Sequence, residues 1–263
     1  MARIAVALCI GFNFIPFINC KACSQFHCAA QFNAVTNYNF TITNVINPVN
    51  LDNRNWSHNF IRQEKAQLIN NALCVAVVPY LFTIGYFAFA SAPDEAELEV
   101  LVKQKVGASK VIFDMHEGEM IELVGIAGHG FSLSEQKQRD LVFVAMGTGV
   151  APLRSALRHV LRHKEDFGQL VVLYGARTPD DFCYRDEVDE WAEAGVELRQ
   201  VISRPEDHDW SGPTGYVQSL LDHVLPDLTS PVALVCGSLQ MINETRERLT
   251  RMGFASDDIL TNY

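Results

Sequence analysis

The chain has 263 residues and a formal charge of −10 at pH 7, from 21 Lys and Arg against 31 Asp and Glu. Its length allows one large domain or two small ones with proper cores, and it excludes a disulfide-stapled miniprotein. An apolar share of 48% and a charged share of 20% are typical of a folded globular chain. The acidic balance excludes the basic footprint of a nucleic-acid binder, so we expect small-molecule ligands.

Composition divides the chain into two parts. Of the 15 Asn, 13 lie in residues 1–75. Residues 1–84 hold five basic and two acidic side chains, whereas residues 85–263 hold 16 basic and 29 acidic ones. The two parts therefore need separate interpretation.

The Asn-rich segment, residues 1–75, has no sustained period that predicts a structure. Residues 4–18 form a weak export-like signal that is too short to span a bilayer and has no clean cleavage site. We therefore expect a cytoplasmic protein, or a plastid one if the source is a plant or alga. Three cysteines lack an obvious fourth metal ligand, and an incidental cluster is favoured for Cys20, Cys23 and Cys28.

Residues 33–60 hold short β-prone runs that Asn or Pro interrupts every few residues, a pattern of turns and edge strands. The Asn-rich segment is either an irregular extension or an incorrectly assigned start of the gene product. We expect it to be poorly packed and dispensable for ligand binding.

Residues 76–136 predict a small antiparallel β unit, with strands at 98–103 and 120–125. From residue 139 the pattern changes to alternating β and α. Residues 141–146 are uniformly apolar, as in a strand buried on both faces of a parallel sheet, and helical spacing follows to residue 163. Further strands are predicted at 169–174, 196–202, 231–236 and 258–260, and further helices at 180–194, 216–224 and 239–252. Such a sheet binds its ligand at the carboxyl ends of the strands.

A glycine turn joins the first of these strands to its helix. Residues 147–152 read Gly-Thr-Gly-Val-Ala-Pro, and such a turn lets backbone amides and a helix N-terminus meet a pyrophosphate. The third glycine of the dinucleotide fingerprint is missing, so a simple tight turn is an alternative. Residues 174–177 and 236–238 end two further strands at the same edge, which favours a nucleotide site.

These motifs resemble those of the ferredoxin–NADP reductase superfamily, and most closely its plant fruit-protein and bacterial branches. The resemblance covers residues 85–263 and rests on four segments in the expected order: 146–155, 173–185, 212–217 and 236–241. It implies an α/β protein with a C-terminal doubly wound parallel-sheet domain, preceded by a partial or degenerate antiparallel β-barrel. The implied division is 1–75 of uncertain structure, 76–136 as a flavin-type barrel, and 137–263 as the NAD(P) domain.

The resemblance also implies an NAD(P)H site. The pyrophosphate is expected at Gly147, Thr148, Gly149 and Pro152. The adenosine ribose is expected at Gly175, Ala176 and Arg177, with Arg177 and Arg185 available to a 2′-phosphate. Asp180 and Asp181 would repel that phosphate, which leaves NADH and NADPH both open. The nicotinamide is expected beside Cys236, Gly237 and Met241, although a buried strand-end cysteine is the alternative for Cys236.

The FAD site implied by the resemblance departs from the family pattern. Gly85, Phe87 and Ala88 stand where the family has Arg, Tyr and Ser. Ring stacking is expected from Phe87, and further contacts are expected from Ser91, Gly107 and Ser109. The last residue, Tyr263, is expected against the flavin as a catalytic neighbour together with Cys236, or else as an exposed terminus. Because a charged contact is missing, we expect FAD to bind weakly or to be lost.

Two stripes on the helix after the glycine turn are interpreted as solvated surface. They are the pair His159 and His163, and the series Arg154, Arg158 and Arg162. We expect neither a metal site nor an iron–sulfur cluster. The expected function is NAD(P)H-dependent flavin oxidoreduction, with hydride passing between nicotinamide and FAD and on to a redox protein or small-molecule acceptor. The alternatives are a flavin-less NAD(P)-binding regulatory module and an interaction domain that keeps only the fold.

Overall fold

The computed structural model of the protein describes residues 38–46, 56–62, 73–78, 83–95, 97–103, 105–115, 120–128, 130–205 and 209–262. The predictions on residues 4–18 and on Cys20, Cys23 and Cys28 lie outside these ranges, as does Tyr263. The longest helices in the described ranges have 13 residues. No described helix is long and apolar enough to cross a membrane.

The first part of the chain forms an antiparallel sheet of six strands in the order β4-β3-β6-β1-β2-β5. The strands are β1 (Tyr38–Ile46), β2 (Trp56–Arg62), β3 (Leu73–Val78), β4 (Thr83–Ala88), β5 (Glu97–Lys103) and β6 (Met120–Ala127). The two outer strands meet just beyond β4, where Phe89 bridges Val100 and the Ala90 amide donates to the Glu99 carbonyl at 2.7 Å. This contact brings the ends of the sheet together as in a barrel.

Strands β1 and β2 and the first half of β3 lie in residues 1–75, the segment without a sustained sequence period. β1 pairs with β6, and β2 pairs with β5 from Trp56–Lys103 to Arg62–Glu97. Asn residues interrupt the apolar alternation in β1 and β2, so the pattern is that of turns, although the backbone pairs along both strands. The division into segments 1–75, 76–136 and 137–263 stays a prediction.

The second part forms a parallel sheet of five strands in the order β11-β10-β7-β8-β9. Its strands are β7 (Leu141–Met146), β8 (Leu170–Ala176), β9 (Val196–Ile202), β10 (Val232–Cys236) and β11 (Ile259–Thr261). The described helices of the chain are α1 (Ala108–Asp114), α2 (Val150–Arg162), α3 (Val188–Glu193), α4 (Leu221–Val224) and α5 (Leu239–Arg251). The predicted α/β class and doubly wound sheet are confirmed.

The sheet separates two apolar layers. Phe143 and its alternate neighbours in β7 pack with Leu157 of α2 on one face. Val144 and its alternate neighbours pack with Ile242 and Leu249 of α5 on the other face. Because both faces are covered, the strand reads as an uninterrupted apolar run.

The predicted helix at 180–194 is wrong in its first half. A short 3₁₀ turn covers Pro179–Asp181, and the chain then runs through Tyr184, whose φ of +57° is left-handed, before α3 begins. The reason is burial, because Phe182, Cys183 and Tyr184 are all buried. The left-handed backbone at Tyr184, which a right-handed helix does not contain, turns the chain so that these side chains reach the core.

Candidate functional site

The candidate site lies where the connections of the parallel sheet reverse direction. From β7 the chain continues to β8 and β9 on one side, and it later returns to β10 on the other side of β7. The loops after β7 and β10 therefore diverge at the carboxyl edge of the sheet and leave a crevice between them. The glycine turn and residues 236–238 occupy these two loops.

The glycine turn begins with a left-handed backbone and has an open outer side. Gly147 has a φ of +57°, and a Cβ added to it would meet no atom within 4 Å, so its outer side is open. Residues Gly147–Gly149 form one 3₁₀ turn that leads directly into α2, and Pro152 fills the first turn, where its missing N–H costs nothing. The outer side of Gly147, just before the N-terminus of α2, therefore adjoins open space.

Gly149 has a different role from the one that its motif suggests. A Cβ added there would lie 2.3 Å from the Cys236 carbonyl oxygen and 2.8 Å from the Gly237 nitrogen. The missing side chain thus allows the turn to pack against the loop after β10, rather than making room for a ligand. The two loops of the crevice are fixed relative to each other by this close approach.

The loop after β10 is also closely packed. A Cβ on Gly237 would lie 2.3 Å from the Met241 methyl carbon, and the Met241 side chain is buried behind the loop. The Ser238 hydroxyl caps α5 by accepting from the Met241 amide at 3.2 Å. Burial raises the pKa of the Cys236 thiol to about 12, so this sulfur is neutral at physiological pH. Cys236, Gly237 and Met241 are the three predicted nicotinamide neighbours. Of these, Met241 is buried and packs against Gly237 from within the protein.

Tyr174 connects the glycine turn to the neighbouring strand end. Its buried hydroxyl donates to the Gly147 carbonyl at 3.1 Å and accepts from the Cys183 amide at 3.2 Å. Its ring makes an edge contact with Phe182 at 5.0 Å between centroids. From the sequence, Tyr174 is named only as part of the motif at residues 174–177 and is assigned no role. A tyrosine at the end of a buried strand needs a partner for its hydroxyl, which is the signal that could have identified it.

At the carboxyl end of β8 the chain passes from buried to exposed residues. Gly175 and Ala176 are buried, and a Cβ on Gly175 would lie 2.9 Å from the Val217 Cβ, so Gly175 is required for packing. Arg177 is exposed at the edge. The acidic neighbours predicted to repel a phosphate have basic partners, because Asp180 lies 3.8 Å from Arg185 and Asp181 lies 3.3 Å from Lys103.

Sequence reasoning missed two features of the same edge. The amides of Ser203 and Arg204, just after β9, donate to the carbonyls of Ala176 and Arg177 at 3.0 and 2.8 Å. Arg204 is therefore a second exposed arginine beside Arg177. Tyr216, in the quoted 212–217 motif, exposes 68% of its surface. An exposed aromatic ring at a ligand edge is a candidate stacking platform.

The two flavin-type motifs meet in the first part of the chain. A Cβ on Gly85 of β4 would lie 2.6 Å from the Ala108 Cβ at the start of α1, and 2.7 Å from the Phe87 ring. The Phe87 ring therefore lies over Gly85 and occupies the space of a side chain at this position. The alignment of β4 with the family's flavin strand stays a prediction.

The polar residues predicted for FAD fit that role poorly. Ser91 is buried, with its hydroxyl accepting from the Glu99 amide at 2.9 Å and its carbonyl accepting from Ser155 at 2.5 Å. Ser109 donates to the Val106 carbonyl at 3.2 Å. The described residues thus fit a flavin ring beside Phe87, but they place no charge at position 85 for the pyrophosphate.

The interpretation of the arginine stripe of α2 as solvated surface is wrong for its first member, Arg154. Arg154 is 5% exposed and bonds to Glu99 and Glu187. Arg158 bonds to Glu95 at 2.6 Å, and Arg162 bonds to the same carboxylate. The stripe faces residues 90–99, which lie far away in sequence.

Of the histidine pair at the end of α2, His159 is partly buried and His163 is exposed. The rings of His159 and His163 lie 5.0 Å apart. Burial lowers the pKa of His159, and the neighbouring His163 lowers it further. The described residues hold no cluster of three or more His, Cys, Asp or Glu that could bind a metal ion.

A cavity of about 460 Å³ lies at the amino edge of the parallel sheet. Its lining includes Arg139, whose guanidinium bonds to Asp258 at 2.6 Å and to the carbonyls of Ser230 and Pro231. Arg139, Pro231 and Asp258 precede strands β7, β10 and β11, so they lie at the amino ends of these strands. The cavity therefore lies at the edge opposite the glycine turn and is separate from the candidate site.

A parallel sheet with a switch point and a glycine turn at its carboxyl edge is typical of nucleotide-binding domains. Residues 143–247 match the family model described as "Oxidoreductase NAD-binding domain". Ferredoxin–NADP reductase B of Sorangium cellulosum is 33% identical over 172 residues, which cover 61% of this chain and 69% of that protein. The chain belongs to the ferredoxin–NADP reductase family.

Two further similarities define how far the relationship extends. Fruit protein pKIWI502 of Actinidia deliciosa is 29% identical over 192 residues, and the match covers 67% of this chain but only 58% of that protein. A ferredoxin–NADP⁺ reductase from Neisseria gonorrhoeae, solved with bound FAD and NADP, has a TM-score of 0.70 at 18% identity. That match covers 87% of this chain and 100% of the solved one, and at this identity it shows the fold alone.

Proposed function

We propose that the protein is an NAD(P)H-dependent flavin oxidoreductase that transfers electrons to an acceptor. The observation that carries this proposal is the open glycine turn at the switch point of the sheet, packed against the loop that holds Cys236 and Gly237. Membership of the ferredoxin–NADP reductase family supports the same activity.

Residues of the carboxyl edge would hold the dinucleotide. The amides around Gly147 and the N-terminus of α2 would receive the pyrophosphate. The exposed Arg177 and Arg204 would lie toward the adenosine ribose, and the Tyr216 ring would give the adenine a stacking surface. The nicotinamide would then lie toward Gly237. Two exposed arginines at this edge are compatible with a 2′-phosphate, so the proposal covers NADH and NADPH.

Cys236 contributes no ionised group to the proposed site. Its thiol is 8% exposed, and its raised pKa keeps it protonated. A neutral, compact side chain at the end of β10 excludes water and leaves hydride transfer without a competing nucleophile. The protein's contribution would therefore be the placement of two rings, with no general acid or base required.

A flavin would lie against Phe87 and the turn at Gly107. When bound, it would supply an acceptor of two electrons that can be released singly or together. The described residues offer its ring an apolar surface and offer its pyrophosphate no charged partner at position 85. We therefore propose that flavin is held mainly through its ring. The electron acceptor would be a redox protein or a small molecule.

Two titrations test the nucleotide site. Gly147→Asn should weaken NADH and NADPH binding at least tenfold in calorimetry, because Asn tolerates the left-handed backbone and places its side chain in the open space before the turn. Gly253→Asn is the matched control, since Gly253 has a φ of +95° and open space at its Cβ but lies at the opposite edge. Unchanged affinity in Gly147→Asn would remove the pyrophosphate assignment.

A flavin-less NAD(P)-binding module is the second candidate function. The contact of Gly85 with Ala108 and Phe87 favours it, because this contact closes the position of the family's charged flavin ligand. The visible absorption of the purified protein and the oxidation of NADH in the presence of added FMN separate the two. Nucleotide binding without oxidation would support the second candidate.

A further inference from the structure

Arg154 is a buried cation whose hydrogen bonds join three separate segments. Its Nη1 donates to the Ala90 carbonyl and to the Glu99 carboxylate, each at 2.8 Å. Its Nε and Nη2 donate to Glu187, with Nε–O distances of 2.9 and 2.8 Å. Its guanidinium carbon also lies 4.3 Å from the centre of the Tyr184 ring.

These partners come from both parts of the molecule. Arg154 lies on α2, one turn beyond the glycine turn. Glu99 lies on β5, and Ala90 follows the flavin-type strand β4. Glu187 precedes α3 and follows the segment that Tyr174 ties to Gly147. One guanidinium thus contacts the elements proposed to hold the flavin and those proposed to hold the dinucleotide.

Further hydrogen bonds and ion pairs join α2 to the segment between β4 and β5. The Ser155 hydroxyl donates to the Ser91 carbonyl at 2.5 Å. Arg158 and Arg162 continue the contact toward solvent through Glu95. The exposed ion pairs at this rim contribute little individually, whereas the bonds of Arg154 are made almost without water.

The charges of the cluster depend on one another. Burial raises the pKa of Glu99, while the charge of Arg154 and the polar Tyr184 hydroxyl oppose that rise. Burial alone would lower the pKa of Arg154, but its hydrogen bond to Glu187 and the nearby charges raise it. The guanidinium therefore stays charged, and its removal would leave Glu99 buried without its cation.

We propose that Arg154 is a positioning residue for hydride transfer, holding the dinucleotide turn and the flavin-type strand at a fixed separation and angle. This inference rests on the proposed function. Arg154 touches neither predicted cofactor surface, so it acts through the elements that it joins. Such control matters because a displacement of about 1 Å between reacting rings can slow a reaction on the order of 10²-fold.

Arg154→Lys tests the inference, because it keeps the charge but cannot reproduce bonds in three directions. We expect the rate of NADH oxidation by saturating FMN in single-turnover experiments to fall on the order of 10²-fold. The dissociation constant for NADH should change less than about threefold, because the glycine turn is intact. Arg162→Lys is the matched control at the exposed end of the same stripe, and it should leave both values unchanged. An unchanged rate in Arg154→Lys would overturn the inference.

A second variant separates positioning from general stability. Arg154→Met with Glu99→Gln removes both buried charges, and such neutral replacements often restore stability. We expect its thermal midpoint to recover toward the original value while the slow rate persists. Recovery of the rate together with the midpoint would show a merely structural role.

Amide exchange gives a readout that needs no activity. Residues 89–99 should lose protection in Arg154→Lys but not in Arg162→Lys, while β7 keeps its protection. Equal protection in both variants would refute the proposed coupling, even if the unmodified protein oxidises no NADH. Absence of NADH oxidation in the unmodified protein would instead count against the proposed function.

Discussion

The Tyr174 hydroxyl satisfies two backbone groups that water cannot reach, and one of them belongs to the glycine turn. Tyr174→Phe should therefore lower the free energy of unfolding by about 1–3 kcal/mol, because the buried Cys183 amide loses its acceptor. Nucleotide affinity should fall several-fold as the turn loosens. Urea denaturation and calorimetry measure the two effects. Tyr216→Phe, which removes an exposed hydroxyl, should leave stability unchanged; an equal loss in both variants would contradict this account.

The Cys236 thiol should resist alkylation across the physiological pH range. With a pKa of about 12, its thiolate fraction at pH 8 is about 1 in 10⁴. Because the reactive form is the thiolate, the labelling rate should keep rising through pH 10, where an ordinary thiol has levelled off. Mass spectrometry of iodoacetamide-treated native protein follows this residue separately, with urea-unfolded protein as the control. A labelling rate that reaches half its maximum near pH 8.5 and levels off by pH 10 would show an ordinary exposed thiol.

At the scale of elements, the contact between β4 and α1 determines what can stand at position 85. Substitution by Arg would not restore the family's flavin ligand, because even a Cβ meets Ala108. Gly85→Ala should destabilise the protein by about 1–3 kcal/mol through overpacking. Ala108→Gly should recover part of that loss when the two changes are combined. Urea denaturation of the double-mutant cycle measures the coupling, and strictly additive effects would show that the two residues do not touch.

Flavin affinity should depend little on the phosphate end of the ligand. Hydrogen bonds to a charged group contribute about 1.5–3 kcal/mol each, and Gly85 supplies none. Riboflavin, FMN and FAD should therefore bind within about fivefold of one another, a difference near 1 kcal/mol. Quenching of flavin fluorescence measures the three affinities at low and high salt. Tight FAD binding that weakens with salt would show a charged phosphate contact.

Elements with a simple burial pattern could be predicted from the sequence. Strands β7 and β10 are uniformly apolar between turn residues, and their predicted bounds differ from the observed ones by at most one residue. The predicted helix at 180–194 is wrong in its first half because the chain turns through the left-handed backbone of Tyr184 and buries Phe182 and Cys183 beside it. Such burial depends on tertiary packing, which short-range patterns do not contain.

The site was predictable in its location but not in the roles of its residues. The motifs predict a site at the carboxyl edge of the sheet, because each motif follows a strand and parallel strands end at the same edge. The pairing of Gly149 with Cys236, and of Arg154 with Glu99, joins residues that are far apart in sequence. Arginines at i, i+4 spacing have the same sequence pattern whether they face water or a distant acidic segment, so the pattern predicts a surface position for Arg154.

At the scale of the whole molecule, the order of the antiparallel sheet limits where the chain can be shortened. β1 and β2 lie between β6 and β5. A chain that begins at Val75 would therefore leave two long strand edges unpaired, and it should aggregate. This pairing speaks against the expectation that residues 1–75 are dispensable. Light scattering of the shortened and full chains measures the difference, and a monomeric, nucleotide-binding short chain would contradict the sheet order.

The Arg154 cluster also limits how this molecule could exchange parts with its relatives. A recombination event between β6 and β7 would join a foreign barrel to the native nucleotide domain. It would separate Glu99 from Arg154 and Glu187, which the cluster requires together. A hybrid without an acid at position 99 would hold a buried cation with one carboxylate instead of two. The two parts of this chain are thus expected to be inherited as a matched pair rather than as interchangeable modules.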